Sequence, residues 1–394
     1  MKERKIIHIE YRAYGAFFPK KESAYYYLAG WSSSIARQTL KWTRRYKVEN
    51  WRPEREVKKP IVREVQDITC RIFPATGLKR LRDLSPAMLA ELRRQKKMHE
   101  ILIHHSSIHR TSLCFISTIF RKIPIVAQQH GDLPSLMRFR QSKKLSTLLA
   151  HLIEKSTLRN IDHFFVLRRS EMEFLSRSLD NPHVTIQTMG VDFDEFKPLD
   201  KKSSRKKLGF SEDKKIMLYV GKFYKLKGVD IMLKTFRELK RKYNIELVLI
   251  GGSLNDQLYD DVKLSGARFY GYLPHDELGL YYSAADVYLL PAFSKKYAGH
   301  DVAAIESLAC GTPIVSTTLK DHPSAEWRKL GIIPKDEKDV TRCVADVLEN
   351  PKSFVDCRKI AKKYYDWKEI MQKTLEVYDM LFEKYYGDKE YPRT

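Results

Sequence analysis

The 394-residue chain has few acidic side chains for its basic ones, few cysteines, glycines and prolines, and no long apolar run. Its five cysteines, Cys70, Cys114, Cys310, Cys343 and Cys357, are odd in number and widely spaced, and no CxxC occurs. That pattern excludes a disulfide framework and a zinc ribbon, and it suits a reducing compartment. Gly (17) and Pro (16) are too sparse for collagen-like or low-complexity sequence. No stretch approaches the ~18 uncharged apolar residues that span a bilayer. The opening MKERKIIHIE offers only a two-residue apolar step between charges. A secretory signal needs an apolar core of ~7–15 residues, so a cytoplasmic location is expected.

What is present points to a folded protein of two domains. Hydrophobic residues make up 43% and aromatics 11%, too much apolar material for a disordered chain. A single core stops growing near ~250–300 residues, so this length divides in two. The net charge of +23 is unevenly spread. Residues 1–150 hold 31 Lys and Arg against 12 Asp and Glu, a net +19, and the remainder carries 41 against 37, a net +4. A positive surface attracts nucleic acid, anionic lipid headgroups or phosphorylated substrates, and charge alone does not choose among them. Lys/Arg clusters at 41–47, 52–59, 79–82 and 93–97 come without an RRM, KH or zinc-finger pattern, so no nucleic-acid partner is expected.

Buried-strand and helix patterns alternate along the chain. Residues 5–9, 101–103, 123–127 and 163–167 read as strands, the second continuing to His104 and His105 and ending in a polar loop. Residues 32–42 read as a helix, and Ser170 with Glu173 reads as a capping box. Residues 197–214, KPLDKKSSRKKLGFSEDK, read as an interdomain linker. Beyond them strands at 216–220, 245–250, 268–270, 287–290 and 313–316 alternate with helices at 229–243, 278–285 and 303–309. Repeated β-α units predict a parallel sheet covered on both faces, with ligands at the carboxyl ends of the strands. The adjacent His104 and His105 point to opposite faces of a strand, so no metal site is expected there.

Two segments carry chemistry. Gly221-Lys222-Phe223-Tyr224-Lys225-Leu226-Lys227-Gly228 follows a buried strand and opens a helix. Its glycines allow close backbone approach, and a helix N-terminus with three lysines suits a phosphate. It is neither a P-loop nor a GxGxxG fingerprint. The second segment, Ala298-Gly299-His300-Asp301-Val302, precedes a helix carrying Glu306, a candidate acceptor of sugar hydroxyls. Gly311-Thr312-Pro313 closes that helix with a tight turn.

These segments, in this order and about 70 residues apart, resemble the C-terminal domain of family 4 glycosyltransferases. Thr188 to Pro198 is similar to the family's "NGVD…F.P", and Gly221 to Gly228 to "GR….KG". Phe269 to Pro291 is similar to "F.G…..Y..AD…LP", Glu306 to Val315 to "EALACGTPVV", and Asp366-Trp367 to "FSW". The resemblance is strong over about 185–370. Over 1–180 it is loose and rests on strand order and on His130-Gly131.

The resemblance implies an α/β chain of GT-B architecture, two Rossmann-like domains facing a central cleft. It places an N-terminal acceptor-side domain at 1–196, a nucleotide-sugar-binding domain at 197–365, and a C-terminal helix at 366–394 crossing back to the first domain. It implies sugar transfer from a nucleotide-diphosphate-sugar donor to a glycan or lipid-linked acceptor, with a retaining outcome, no metal and no cofactor. Lys222 and Lys227 would hold the diphosphate, and His130 would lie near the anomeric carbon. Gly221 and Gly228 would admit the donor, and Gly299, His300, Asp301 and Val302 would offer backbone contacts to its phosphate and sugar. Glu306 would bind the ribose, and Tyr272 and Leu273 would meet the base. Acceptor residues are not implied. Ala298 stands where the family has the first Glu of its E-x7-E pair, and Asp301 is the neighbouring candidate for that carboxylate. That departure and Lys222 in place of Arg favour an alternative, a non-catalytic GT-B homologue acting as a binding or scaffolding subunit. Intact Lys227 and Glu306 oppose it, and the "KG…E…ACGTP" spacing argues against a sugar-nucleotide epimerase. The charge of residues 1–150 adds an expected anionic membrane surface, with the protein peripheral at its inner face.

Overall fold

The computed structural model describes residues 2–11, 27–28, 31–76, 83–108, 111–129, 153, 155–293, 301–321 and 325–387. Contacts divide the chain into two units, Met1–Gln187 with Met371–Thr394, and Thr188–Ile370. The sequence places these boundaries after residues 196 and 365. They shift because Val191 pairs with the far end of the second unit. Its N–H donates to Tyr365 O at 2.8 Å, and its carbonyl accepts the Trp367 N–H at 3.3 Å.

The first unit is built on eight strands: β1 (Arg4–Ile9), β2 (Lys47–Glu54), β3 (Ile61–Val65), β4 (Ile68–Pro74), β5 (Glu100–His105), β6 (Ile125–Gln128), β7 (His163–Val166) and β8 (Val184–Ile186). Their order is β3-β4-β2-β1-β5-β6-β7-β8. Among the described residues only the β3–β4 pairing is antiparallel. Alternation sorts the two faces. Ile7, Ile9, Ile101, Ile103, Ile125 and Phe164 pack with Met88, Leu92, Leu113, Ile116 and Leu175 from helices Pro86–Met98, Thr111–Ile119 and Arg169–Ser178. Ile6, Leu102, Val126 and Phe165 pack with Tyr378, Leu381 and Phe382 of helix Trp367–Tyr386.

Several expectations need correction here. β2 overlaps the Lys/Arg clusters at 41–47 and 52–59. Arg52, within the cluster at 52–59, is buried and donates to Glu10 at 3.2 Å, and Glu49 is buried against Lys5 and Arg71, each at 2.7 Å. Ion pairing is what admits these charges to the interior. His104 and His105 end the buried strand β5. His104 Nδ1 lies 2.5 Å from Tyr378 Oη, and His105 Nδ1 lies 2.7 Å from Ser107 O. The helix expected to be capped by Ser170 and Glu173 starts at Arg169, and the buried Glu171 caps it instead. Its Oε2 accepts the backbone N–H groups of Leu167 at 2.8 Å and Arg168 at 3.2 Å. His109, which follows His104 and His105 in sequence, lies outside the described residues.

Among the described residues the second unit is a six-stranded, wholly parallel sheet: β9 (Lys215–Val220), β10 (Ile245–Ile250), β11 (Arg268–Tyr270), β12 (Val287–Leu290), β13 (Ile314–Ser316) and β14 (Gly331–Ile332). Its order is β11-β10-β9-β12-β13-β14. The chain runs outward from β9 to β11, then restarts on the other side of β9 at β12. That reversal opens a crevice at the carboxyl ends of β9 and β12, the position where doubly wound sheets bind ligands.

The lysine-rich stretch read as a linker contains a helix, Lys201–Leu208. Asp200 caps its start through Ser203 N–H at 2.8 Å, and Gly209, at φ +66°, closes it. Arg205 is buried and donates to Asp286 Oδ2 at 2.7 Å and Ala284 O at 3.0 Å. No helix among the described residues is long and apolar enough to cross a membrane.

Candidate active site

The loop after β9 is fixed from beneath. Phe223 is fully buried, its N–H donates to Asp256 Oδ2 at 2.8 Å, and it packs so closely on Gly252 that a Cβ there would fall 1.9 Å from its ring. Tyr219 Oη donates to Lys222 O at 2.9 Å. A 3-10 turn, Lys225–Lys227, ends at Gly228 with φ +74°, and helix Val229–Leu239 starts immediately after. Gly228 is required twice over. The left-handed backbone favours it, and a Cβ would meet Pro291 O at 2.2 Å. Pro291 follows β12, so this contact sets the loop over the β9–β12 crevice.

The loop carries Lys227 to the start of helix Val302–Ala309. Lys227 Nζ lies 2.7 Å from Asp301 Oδ2. Asp301 is also the helix N-cap, its Oδ1 accepting the Ala303 N–H at 3.1 Å. The structure therefore joins two of the residues singled out from sequence and carries a third on the same helix. Asp301 bonds directly to Lys227, and Glu306 follows on the same helix about a turn and a half along. Lys222 shares the loop but is exposed, its Nζ 5.9 Å from the centre of the Tyr224 ring. Leu273 packs against the core of this unit, while Tyr272 is 78% exposed just past β11. Ala298, Gly299, His300 and His130 lie outside the described residues.

Glu306 is buried and both of its oxygens are engaged. His275 Nε2 lies 2.7 Å from Oε1, and the Tyr282 phenol donates to Oε2 at 2.7 Å. The bond to Glu306, opposed by desolvation, raises the His275 pKa. Burial drives that of Tyr282 well above the ordinary phenol range, so it stays a neutral donor. Each carboxylate oxygen has a second lone pair, so Glu306 can still accept from hydroxyl groups while its direction is fixed. Sequence reasoning missed both partners. Tyr282 had one legible signal: it lies four residues after Leu278 on the buried face of helix Leu278–Ala284, and an internal phenol needs an acceptor. His275 sits in a short 3-10 turn with no periodicity to mark it.

The arrangement is an ammonium group, a helix N-terminus and an oriented carboxylate at a topological switch point, suited to holding a phosphate and hydroxyl groups together. Residues 200–364 match the family described as "Glycosyl transferases group 1". The chain is 27% identical over 225 residues to D-inositol 3-phosphate glycosyltransferase 2 of Catenulispora acidiphila, covering 52% of each. It thus spans about half the length of the curated relatives it matches. Sucrose-phosphate synthase of Thermosynechococcus elongatus superposes with a TM-score of 0.70 at 19% identity, covering 96% of this chain and 100% of that one. HepE of Anabaena, solved with UDP, gives 0.66 at 12% identity over 95% and 100%. The fold is α/β with two Rossmann-like domains, as in these GT-B proteins.

Proposed function

The chain carries a group 1 glycosyltransferase domain over residues 200–364, and on that premise we propose that it transfers a sugar from a nucleoside-diphosphate donor to a glycan or lipid-linked acceptor. The observation that carries the reading is Lys227 seated at the N-cap of the helix that bears Glu306. Lys227, Lys222 and the N-terminus of helix Val229–Leu239 take the negative charge that builds on the departing diphosphate. Glu306, oriented by Tyr282 and His275, accepts from the ribose hydroxyls. Retention at the anomeric carbon follows if the leaving phosphate itself takes the acceptor's proton on the face it vacates.

A thermal-shift panel tests this. UDP, the ligand of the HepE structure, heads it, followed by GDP, ADP and their sugars. At least one is expected to raise Tm by several degrees, as a ligand that binds only the folded state must. A flat response across all of them contradicts the reading.

We also propose an anionic bilayer as a partner of residues 1–150, on the strength of their net +19. Sedimentation with phosphatidylglycerol vesicles is expected to exceed that with phosphatidylcholine and to fade by ~0.5 M salt. Equal sedimentation with both removes the idea.

A further inference from the structure

The candidate phosphate site contains an anion of its own. One carboxylate, that of Asp301, takes up both the Lys227 ammonium at 2.7 Å and the Ala303 N–H at 3.1 Å. These are the two kinds of donor that a phosphate uses at a helix N-terminus beside a lysine. The pair is largely withdrawn from water, with side-chain exposures of 25% for Lys227 and 10% for Asp301. Its charges are therefore less screened than those of a surface pair.

A diphosphate reaching Lys227 meets a cation whose charge is already matched. If Asp301 stays in place, phosphate and carboxylate oxygens crowd one ammonium, and like charges oppose each other. If Asp301 swings away, it gives up an ion pair and a helix cap. Either way the donor binds more weakly than the same site with a neutral residue at 301. On release, the carboxylate returns to the ammonium and displaces the product.

Building on the donor reading above, we propose that Asp301 sets donor affinity and product release, competing with the diphosphate for Lys227 and for the first turn of helix Val302–Ala309. It is a specificity-determining residue acting on the charge of the ligand, independent of base and sugar.

Asp301→Asn and Asp301→Ser test this, because both side chains cap helices well and neither carries charge. Wild type and both variants are titrated calorimetrically with UDP, GDP and ADP and with the uncharged nucleosides. The expected result is a gain of about tenfold or more for the diphosphate that wild type binds best, with nucleoside affinity unchanged. In steady state, KM for the donor and kcat are expected to fall together, as product release slows. If wild type binds a diphosphate and the variants bind it equally or more weakly, Asp301 orients Lys227 without opposing the ligand, and the inference falls while the donor reading stands. An equal gain for the nucleosides also overturns it. If no protein binds any diphosphate, the donor reading falls and the inference goes with it.

Discussion

Lys227→Ala is expected to lower kcat/KM for the donor at least ~100-fold, about 2.7 kcal/mol of transition-state stabilisation. Two effects combine. The variant removes a cation aimed at charge that grows as the sugar–phosphate bond breaks. It also leaves the Asp301 carboxylate, 2.7 Å away in the parent, without that partner and facing the diphosphate. Lys227 is partly exposed and lies in a loop pinned by Phe223 and Gly228, so the fold is expected to survive. Tm within a few degrees of the parent is the control. Lys222→Arg restores the family residue in an exposed side chain and is expected to keep near-normal activity. Nucleoside-diphosphate release from the best-bound donor sugar measures both. Near-normal turnover by Lys227→Ala contradicts the assignment of the diphosphate to this loop.

Unit 1 is expected to lose stability steeply as pH falls from about 6.5 to about 4. His8 is completely buried, and neither ring nitrogen has a hydrogen-bond partner among the described residues. Burial lowers its pKa to about 3. His163 is lowered to about 4 by burial and, secondarily, by nearby His183. The unfolded chain takes up these protons near 6.5, so between the two ranges the unfolded state binds more protons than the folded one. Stability is therefore complete above about 6.5 and falls by about 1.4 kcal/mol per pH unit for each histidine. For His8 alone the loss is slightly above ~3 kcal/mol by pH 4. Glu10 and Glu171, pushed up by burial in the same unit, work in the opposite sense. The His8 contribution is accordingly the difference between wild type and His8→Leu. Amide exchange of β1 and β5 reports on unit 1. Leucine is expected to flatten the slope between pH 6 and 4.5 by about one proton, and identical slopes exclude the neutral buried imidazole.

The second unit was the more legible of the two, for a physical reason. Its strands IMLYV and VYLL are apolar on both faces, IELVLI departs from that at Glu246 alone, and all three are bounded by glycine, proline or polar residues, as a doubly covered parallel sheet requires. β2, KVENWRPE, has the same internal position, yet its buried side chains include Glu49, Asn50 and Arg52. The partners Lys5, Arg71 and Glu10, distant in sequence, help to make that burial tolerable, and no local pattern announces them. In the site, Gly228, Lys227, Asp301 and Glu306 stood out because their spacing belongs to strand–loop–helix turns. His275 and Tyr282 did not, since what matters about them is a contact with Glu306 across 31 and 24 residues. The linker reading of 197–214 failed because a lysine-rich helix capped at both ends has the composition of a solvated break.

The most direct measurement is a crystal structure of the chain with the nucleoside diphosphate that gives the largest thermal shift. The diphosphate is expected against Lys227 and Gly228, the ribose hydroxyls on Glu306, and the Asp301 carboxylate turned away from the lysine. A nucleotide bound elsewhere, or one that leaves Lys227 on Asp301 and Glu306 free of ribose, would contradict the account.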